Sequence, residues 1–267
     1  MFSYADIARL DEPLCSLANS QIAPESIAVA GGHACRAWPG SWINRADGVG
    51  FNGPVTAGEI ARLTDFYHCV GLDALVKVNP YAHESLHAHL AAAGYTTKRF
   101  ENLLFRTLDP ARPAASPHTL PPDIQIRVIE RGDEKAVREA ATLCVNVFAT
   151  PERPALAADI ELSVRSIQRA DCVSLAAYSA DGTCIASCGV EWLGPLATLY
   201  GAVVHPDFRR RGIQQTLIAQ RLNIAAQRGL TIATIGCTPG IPTEQNARAL
   251  GFQLAYTRSV MIKPVER

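Results

Sequence analysis

Net charge is the first thing this chain lacks: 25 basic residues balance 25 acidic ones among 267. Without a surplus of either sign it has no electrostatic footprint of a protein that lives on nucleic acid or acidic membrane, so any anion site must be local. Charged residues are scarce, at 19% against 48% apolar, which excludes global disorder and demands a sizeable packed core. No apolar run approaches the ~20 residues of a membrane span. The start, Met1-Phe-Ser-Tyr-Ala-Asp-Ile-Ala-Arg9, has no basic stretch ahead of an apolar one, so no signal peptide is read and a soluble cytoplasmic protein is expected. The eight cysteines form no Cys-x-x-Cys pair and sit mostly in apolar runs, which argues for buried thiols over a disulfide framework. A P-loop and a Gly-x-Gly-x-x-Gly fingerprint are missing too.

What is present divides at a proline-rich stretch. Residues 109–123 hold Pro110, Pro113, Pro117, Pro121 and Pro122, an extended, semi-rigid linker between halves of 108 and 144 residues. In the first half the pattern predicts a helix over 5–20 and strands over 26–30, 34–38 and 42–45. A helix over 55–70 follows, with Thr56 and Glu59 as a capping box, then a strand over 75–78, a helix over 81–93 and a strand pair over 96–107. In the second half it predicts a strand over 124–129, helices over 133–148 and 156–168, and strands over 172–179 and 183–193 joined by Asp181-Gly182. A third antiparallel strand over 196–204, a helix over 214–228, a strand over 230–237, a short helix over 243–250 and a last strand over 253–262 complete it.

One stretch stands out, Leu199-Tyr-Gly-Ala-Val-Val-His-Pro-Asp-Phe-Arg-Arg-Arg-Gly212-Ile-Gln-Gln-Thr-Leu217. It reads as a buried strand, a basic turn and the opening of a helix whose apolar stripe is Ile213, Leu217, Ile218, Leu222, Ala225 and Ala226. Glycine at a helix start leaves free backbone N–H groups beside three arginines, a setting for phosphate or pyrophosphate.

The order of elements, the turn Arg209-x-x-Gly212-x-Gln214 and the later Asn246-Ala-Arg-Ala-Leu-Gly-Phe252 together resemble the GNAT superfamily of acyl-CoA-dependent N-acetyltransferases, over roughly 124–265. The resemblance implies two GNAT-like halves of α/β (α+β) class, each a mixed, mostly antiparallel sheet flanked by helices. It assigns 124–267 as an acetyl-CoA-binding domain and 1–108 as a degenerate one, in which the turn 50–54 carries no arginine. It further implies that Arg209, Arg210, Arg211, Gly212, Ile213 and Gln214 hold a pyrophosphate, and that the backbone of Ala202, Val203 and Val204 takes the pantetheine arm. Asn246 would order that arm or the helix start. Gln214 departs from the family's Gly/Ala and is a side chain able to crowd the phosphates.

The expected function is transfer of an acetyl group from acetyl-CoA, as co-substrate, to the amine of a small molecule. The alternatives are an inactive coenzyme- or ligand-binding relative, or an acyltransferase acting on protein or aminoacyl-tRNA. No nucleic-acid or membrane partner is expected, and the chain is read as a monomer or homodimer. Catalytic groups are poorly supplied. Where relatives carry a glutamate base this chain has Thr198, so Glu191 on the preceding strand is the candidate base. Where relatives carry a tyrosine acid it has Ala247, so Thr243, Cys237 or Tyr256 must stand in. No metal is expected: His83, His87 and His89 read as a helix face, and no further ligand is spaced to join them. Trp38, Trp42 and Asn44 read as core, or as lining for an acceptor pocket.

Overall fold

The computed structural model describes residues 2–266; Met1 and Arg267, the first and last residues of the two sequence halves, lie outside the described residues. The chain divides into two compact units, one running up to Leu103 and resuming at Leu254, the other Leu104–Gln253.

The first unit opens with α1 (Tyr4–Ile22), entered through Ser3, whose hydroxyl accepts from Asp6 N while the Asp6 carboxylate accepts from Ser3 N. Its strands are β1 (Glu25–Val29), β2 (Gly32–Arg36), β3 (Arg45–Asp47), β4 (Ala74–Val78), β5 (Thr96–Thr107) and β11 (Gln253–Lys263), in the sheet order β1-β2-β3-β4-β11-β5. Only β3 and β4 run parallel among the registered pairs here. The capping box read at Thr56 and Glu59 is formed and starts α2 (Ala57–His68). Ile60, Leu63 and Tyr67 of that helix pack with Val29, Val76, Leu86 and Leu90.

Four readings shift in this unit. Residues 96–107 make one 12-residue strand, not a pair, since no Gly or Pro interrupts Thr96 to Thr107. The third strand is Arg45–Asp47; residues 42–44 are a turn in which Asn44 accepts from Ala37 N at 2.7 Å and donates to Trp38 O at 2.8 Å. The third helix, α3 (Glu84–Ala92), begins late because His83 caps it, its ring nitrogen meeting Ser85 Oγ at 2.9 Å. The last strand, read as part of the second half, pairs antiparallel with β4, Ser259↔Val78 through Lys263↔Ala74.

The second unit carries β6 (Gln125–Ile129), β7 (Cys172–Tyr178), β8 (Cys184–Leu193), β9 (Leu196–Val204) and β10 (Ile232–Cys237), ordered β5-β10-β9-β8-β7-β6 with residues 104–107 of β5. Strands β6 to β9 are antiparallel neighbours, and β9 runs parallel to β10. The mixed, mostly antiparallel sheet of the sequence reading is therefore present. Helices α4 (Glu134–Phe148), α5 (Ala157–Ile167), α6 (Ile213–Gln227) and α7 (Pro242–Ala249) flank it. The α6 stripe of Ile218, Leu222 and Ala225 packs on Val190, Leu199, Ala233 and Ile235. The Asp181-Gly182 turn closes the β7–β8 hairpin, with Gly182 at φ +83°.

The proline-rich segment has neither helix nor strand, yet it is packed. Ala114 exchanges two hydrogen bonds with the Asn223 side chain of α6, at 2.7 and 3.0 Å, and Leu120 lies against the cluster of Ile213 and Leu217. All eight cysteines are thiols: Cys35, Cys172, Cys188 and Cys237 are buried as read, Cys15, Cys144 and Cys184 are half-buried, and Cys69 is exposed. No helix among the described residues is long and apolar enough to cross a membrane.

Candidate functional site

Strand β9 stays with β10 only from Leu196↔Ile232 to Leu199↔Ile235. Its next residues pair with β8 alone, and irregularly: Gly189 faces Tyr200 and Ser187 faces Val203, which leaves Gly201 and Ala202 opposite the single residue Cys188. Gly201 sits at φ +61°, so this is a bulge with its left-handed position filled by glycine. A bulge bends its strand and sharpens the twist, and here it follows directly on the last β9–β10 pair. The backbone of Ala202, Val203 and Val204 thus runs on beyond the β10 ladder.

The strand ends at a short 3₁₀ turn, Pro206–Phe208, and the chain then makes two left-handed steps, Arg210 at φ +63° and Gly212 at φ +76°. A non-glycine residue in that region costs of order 1–3 kcal/mol and persists only where its surroundings impose it. Gly212 is the N-cap of α6 and supplies no side-chain hydrogen bond. Every other α-helix carries an acidic residue in its first turn, and α6 has none. The first N–H groups of α6 therefore meet no carboxylate of their own, and the positive end of its dipole stays open to an anion. Arg209, Arg210 and Arg211 are exposed around it. Arg209 Nε donates to Val204 O at 3.2 Å, and Arg211 lies 5.0 Å over the Phe208 ring.

The corresponding place in the first unit is closed. At the start of α2 the Thr56 hydroxyl and Glu59 carboxylate take the N–H groups an anion would need. A side chain at Gly50 would meet Ala82 and Leu86, both 3.2 Å from its Cβ position.

Gln214 leaves the turn clear. Its side chain reaches α7, where Nε2 donates to Thr243 Oγ1 at 3.1 Å and Oε1 accepts from Asn246 Nδ2 at 2.6 Å. Three residues singled out in the sequence are thus brought together, but as a tether between two helices. His118 packs against Gly212, and a Cβ there would lie 2.5 Å from the His118 Cβ.

Glu191 is buried on β8 and committed to Arg169, whose Nη2 donates to its carboxylate. Burial works against the Arg169 charge, but Glu191, Tyr200 and Asp171 outweigh it and raise its pKa. Thr198, next to Glu191 across the sheet, is joined to Thr234 Oγ1 of β10 at 2.9 Å. Cys237 ends β10, buried among apolar residues that include Ala247. Tyr256 lies in the first unit, its ring edge-on to Tyr81 at 5.9 Å. His83 is the α3 cap described above, and no group of His, Cys, Asp and Glu among the described residues is arranged to hold a metal.

Sequence reasoning missed several polar groups here. Arg169 carries no local signal, since its partner is 22 residues away. Glu244 accepts from Gly240 N at 2.8 Å and holds the loop before α7. Arg221 was legible in principle: it falls four residues after Leu217 and four before Ala225, on the apolar stripe, where a cation must be explained.

Residues 138–252 match the model of the acetyltransferase (GNAT) family. Among solved structures, the whole chain is similar to 97% of a GCN5-related N-acetyltransferase from Kribbella flavida, with TM-score 0.65 and 17% identity over 100% of this chain. A GCN5-related N-acetyltransferase from Sphaerobacter thermophilus matches 73% of this chain at TM-score 0.58 and 18% identity. The chain covers 61% of that protein, less than two thirds of its length. A tandem GNAT protein from the clavulanic acid biosynthesis pathway matches 73% of this chain and 65% of its own, at TM-score 0.55 and 16% identity. At such identities the likeness is one of fold. No curated protein matches the chain.

Proposed function

We propose, from the match of residues 138–252 to the acetyltransferase (GNAT) family model, that the protein moves an acetyl group from acetyl-CoA to the amine of a small molecule. The observation that carries the reading is the start of α6, without cap or acid, directly after a strand that has left its neighbour. A glycine N-cap with no acidic residue in the turn that follows, three exposed arginines and a Gln214 side chain bonded to α7 suit a pyrophosphate in charge. In this reading Arg209, Arg210, Arg211, Gly212, Ile213 and Gln214 form the cradle, chiefly through backbone N–H groups. Ala202, Val203 and Val204 offer their backbone to the pantetheine arm, and Asn246 steadies the cradle from α7. When bound, acetyl-CoA supplies the acyl group activated as a thioester.

Residues 124–267 are then the coenzyme-binding domain in sequence terms, 109–123 the connecting segment and 1–108 a degenerate relative. With α2 capped by its own residues, one coenzyme per chain is expected. Glu191 takes the proton that the attacking amine gives up, and Thr243 or Cys237 returns one to the departing thiolate. A cytoplasmic setting fits such chemistry.

One observation favours a second reading, a coenzyme-binding protein without turnover. The carboxylate of Glu191 is already held by Arg169, and the acid positions carry a tethered hydroxyl and a buried thiol. Release of free thiol from acetyl-CoA across a panel of small amines separates the two. Thiol release with one class of amine supports transfer; coenzyme binding with no thiol released on any amine supports the second reading.

A further inference from the structure

The largest fully buried side chain among the described residues is an arginine. Arg221, in the middle of α6, has none of its surface exposed. Its Nε donates to Leu217 O at 3.1 Å within the helix, and Nη1 donates to Gly189 O at 3.1 Å and to Tyr200 O at 3.3 Å. No carboxylate among the described residues acts on its charge, and Nη2 finds no hydrogen-bond partner among them. Burial, the dominant influence, lowers its pKa. A buried cation without a counter-charge is costly, and a leucine or methionine of similar length would avoid that cost. The geometry says what is obtained in return.

Gly189 and Tyr200 are cross-strand partners on β8 and β9, at the near end of the bulge formed by Gly201 and Ala202. A bulge disrupts the ladder locally, and buried backbone carbonyls beside it need hydrogen-bond donors. Arg221 reaches in from α6 and binds both with one nitrogen. The residue before Tyr200, Leu199, is the last of β9 to pair with β10. The guanidinium is therefore fixed to the backbone where β9 leaves β10. Gly189 completes the arrangement, because the Tyr200 ring lies across it, with Cε1 2.6 Å from where a Cβ would stand.

We infer that Arg221 is a positioning residue: it holds the β8–β9 bulge from α6 and so sets the free edge of β9, residues 200–204, against which the pantetheine arm of the coenzyme is laid. The assignment of that edge to pantetheine rests on the function proposed above; the control of the edge by Arg221 does not. Because α6 also carries the pyrophosphate cradle at its first turn, one helix then fixes both parts of the coenzyme site in relation to each other.

The test compares wild type with R221M and R221K, binding coenzyme A and, separately, adenosine 3′,5′-bisphosphate, which lacks pantetheine. The inference predicts that R221M weakens coenzyme A by about tenfold or more, the cost of the two hydrogen bonds lost at the bulge, and leaves the bisphosphate within about twofold. R221K keeps a charge and one donor group and is expected to fall between wild type and R221M. Equal affinities for coenzyme A in all three proteins overturn the inference, as does a parallel loss of both ligands, which marks general loosening. Should R221M fail to fold, the same comparison is read on R221K. Amide exchange in the ligand-free protein supplies the arm that needs no coenzyme. Exchange at 200–204 is expected to quicken by about tenfold in the variant, and unchanged exchange there overturns the inference. A wild-type protein that binds neither ligand contradicts the coenzyme reading, and amide exchange still decides the role of Arg221.

Discussion

The amide oxygen of Gln214, on the first turn of α6, accepts a 2.6 Å hydrogen bond from Asn246 Nδ2 of α7, while its nitrogen donates to Thr243 at 3.1 Å. Gln214 is thus a tether between α6 and α7, its side chain committed to Thr243 and Asn246 and not free for the proposed pyrophosphate cradle. Replacing it with alanine removes two partly buried hydrogen bonds, each worth about 1 kcal/mol. Q214A is expected to lower the melting temperature by roughly 2–6 °C and to leave acetyl-CoA affinity within about threefold. Loss of binding with unchanged stability would place the side chain in the cradle after all.

A second prediction concerns Gly189. Its alanine variant puts a methyl group into the Tyr200 ring, with Cε1 2.6 Å away, so the ring or the strand must move. Overpacking of this kind costs about 1–3 kcal/mol. Shrinking the ring in G189A/Y200A relieves that clash, so the double variant is expected to be more stable than the sum of the two single losses. A double-mutant cycle by urea unfolding measures the coupling; strict additivity contradicts the packing described.

Much of the fold was legible because its signals are local. The Thr56 and Glu59 box, the Asp181-Gly182 hairpin and the apolar stripe of α6 each lie within a few residues of the element they specify. What escaped was set by distant partners. The last strand alternates like any other, and nothing in residues 253–262 says that its neighbour is β4, 181 residues earlier at Ser259↔Val78. For the same reason the Arg169–Glu191 pair and the two carbonyls bound by Arg221 were not readable. The site shows the same split. The turn of Arg209 to Gly212 declared itself through glycine and charge, but the direction taken by Gln214 depends on α7.

The Arg169–Glu191 pair leads to a third prediction. Both side chains are nearly inaccessible, 7% and 8% exposed, so removing Glu191 leaves the Arg169 charge with only its 3.6 Å contact to Asp171. E191Q is expected to cost about 3 kcal/mol of unfolding free energy, measured in denaturant. Replacing both residues, as R169Q/E191Q, removes the stranded charge and is expected to recover most of that loss. If Glu191 is also the base, the double variant regains stability without regaining thiol release. Recovery of both assigns Glu191 to structure alone.

Acid stability of the first unit gives a fourth. Burial by itself would raise the Asp47 pKa, but Arg45, Lys77 and Arg258 outweigh it, with Glu101 opposing them, and it falls from 3.8 to about 2. A carboxylate depressed in the folded state adds stability above its unfolded pKa and loses it as pH falls through the folded one. Between about pH 4 and 2 this group is expected to give up on the order of 2 kcal/mol. Unfolding free energies measured across that window should fall more gently in D47N than in wild type. Identical slopes contradict the assignment.

The central claim is that the turn before α6 binds the pyrophosphate of acetyl-CoA. Calorimetric titration of acetyl-CoA into wild type and into R209E/R210E tests it directly, because both side chains are exposed and their reversal spares the core. The account predicts saturable heat for wild type, with a ligand-induced gain in stability of about 3 kcal/mol at a hundredfold excess over Kd. It predicts binding weakened by about tenfold or more in the variant, as charge-assisted contacts turn repulsive. No heat and no thermal shift with wild type, or the same affinity in both proteins, contradicts it.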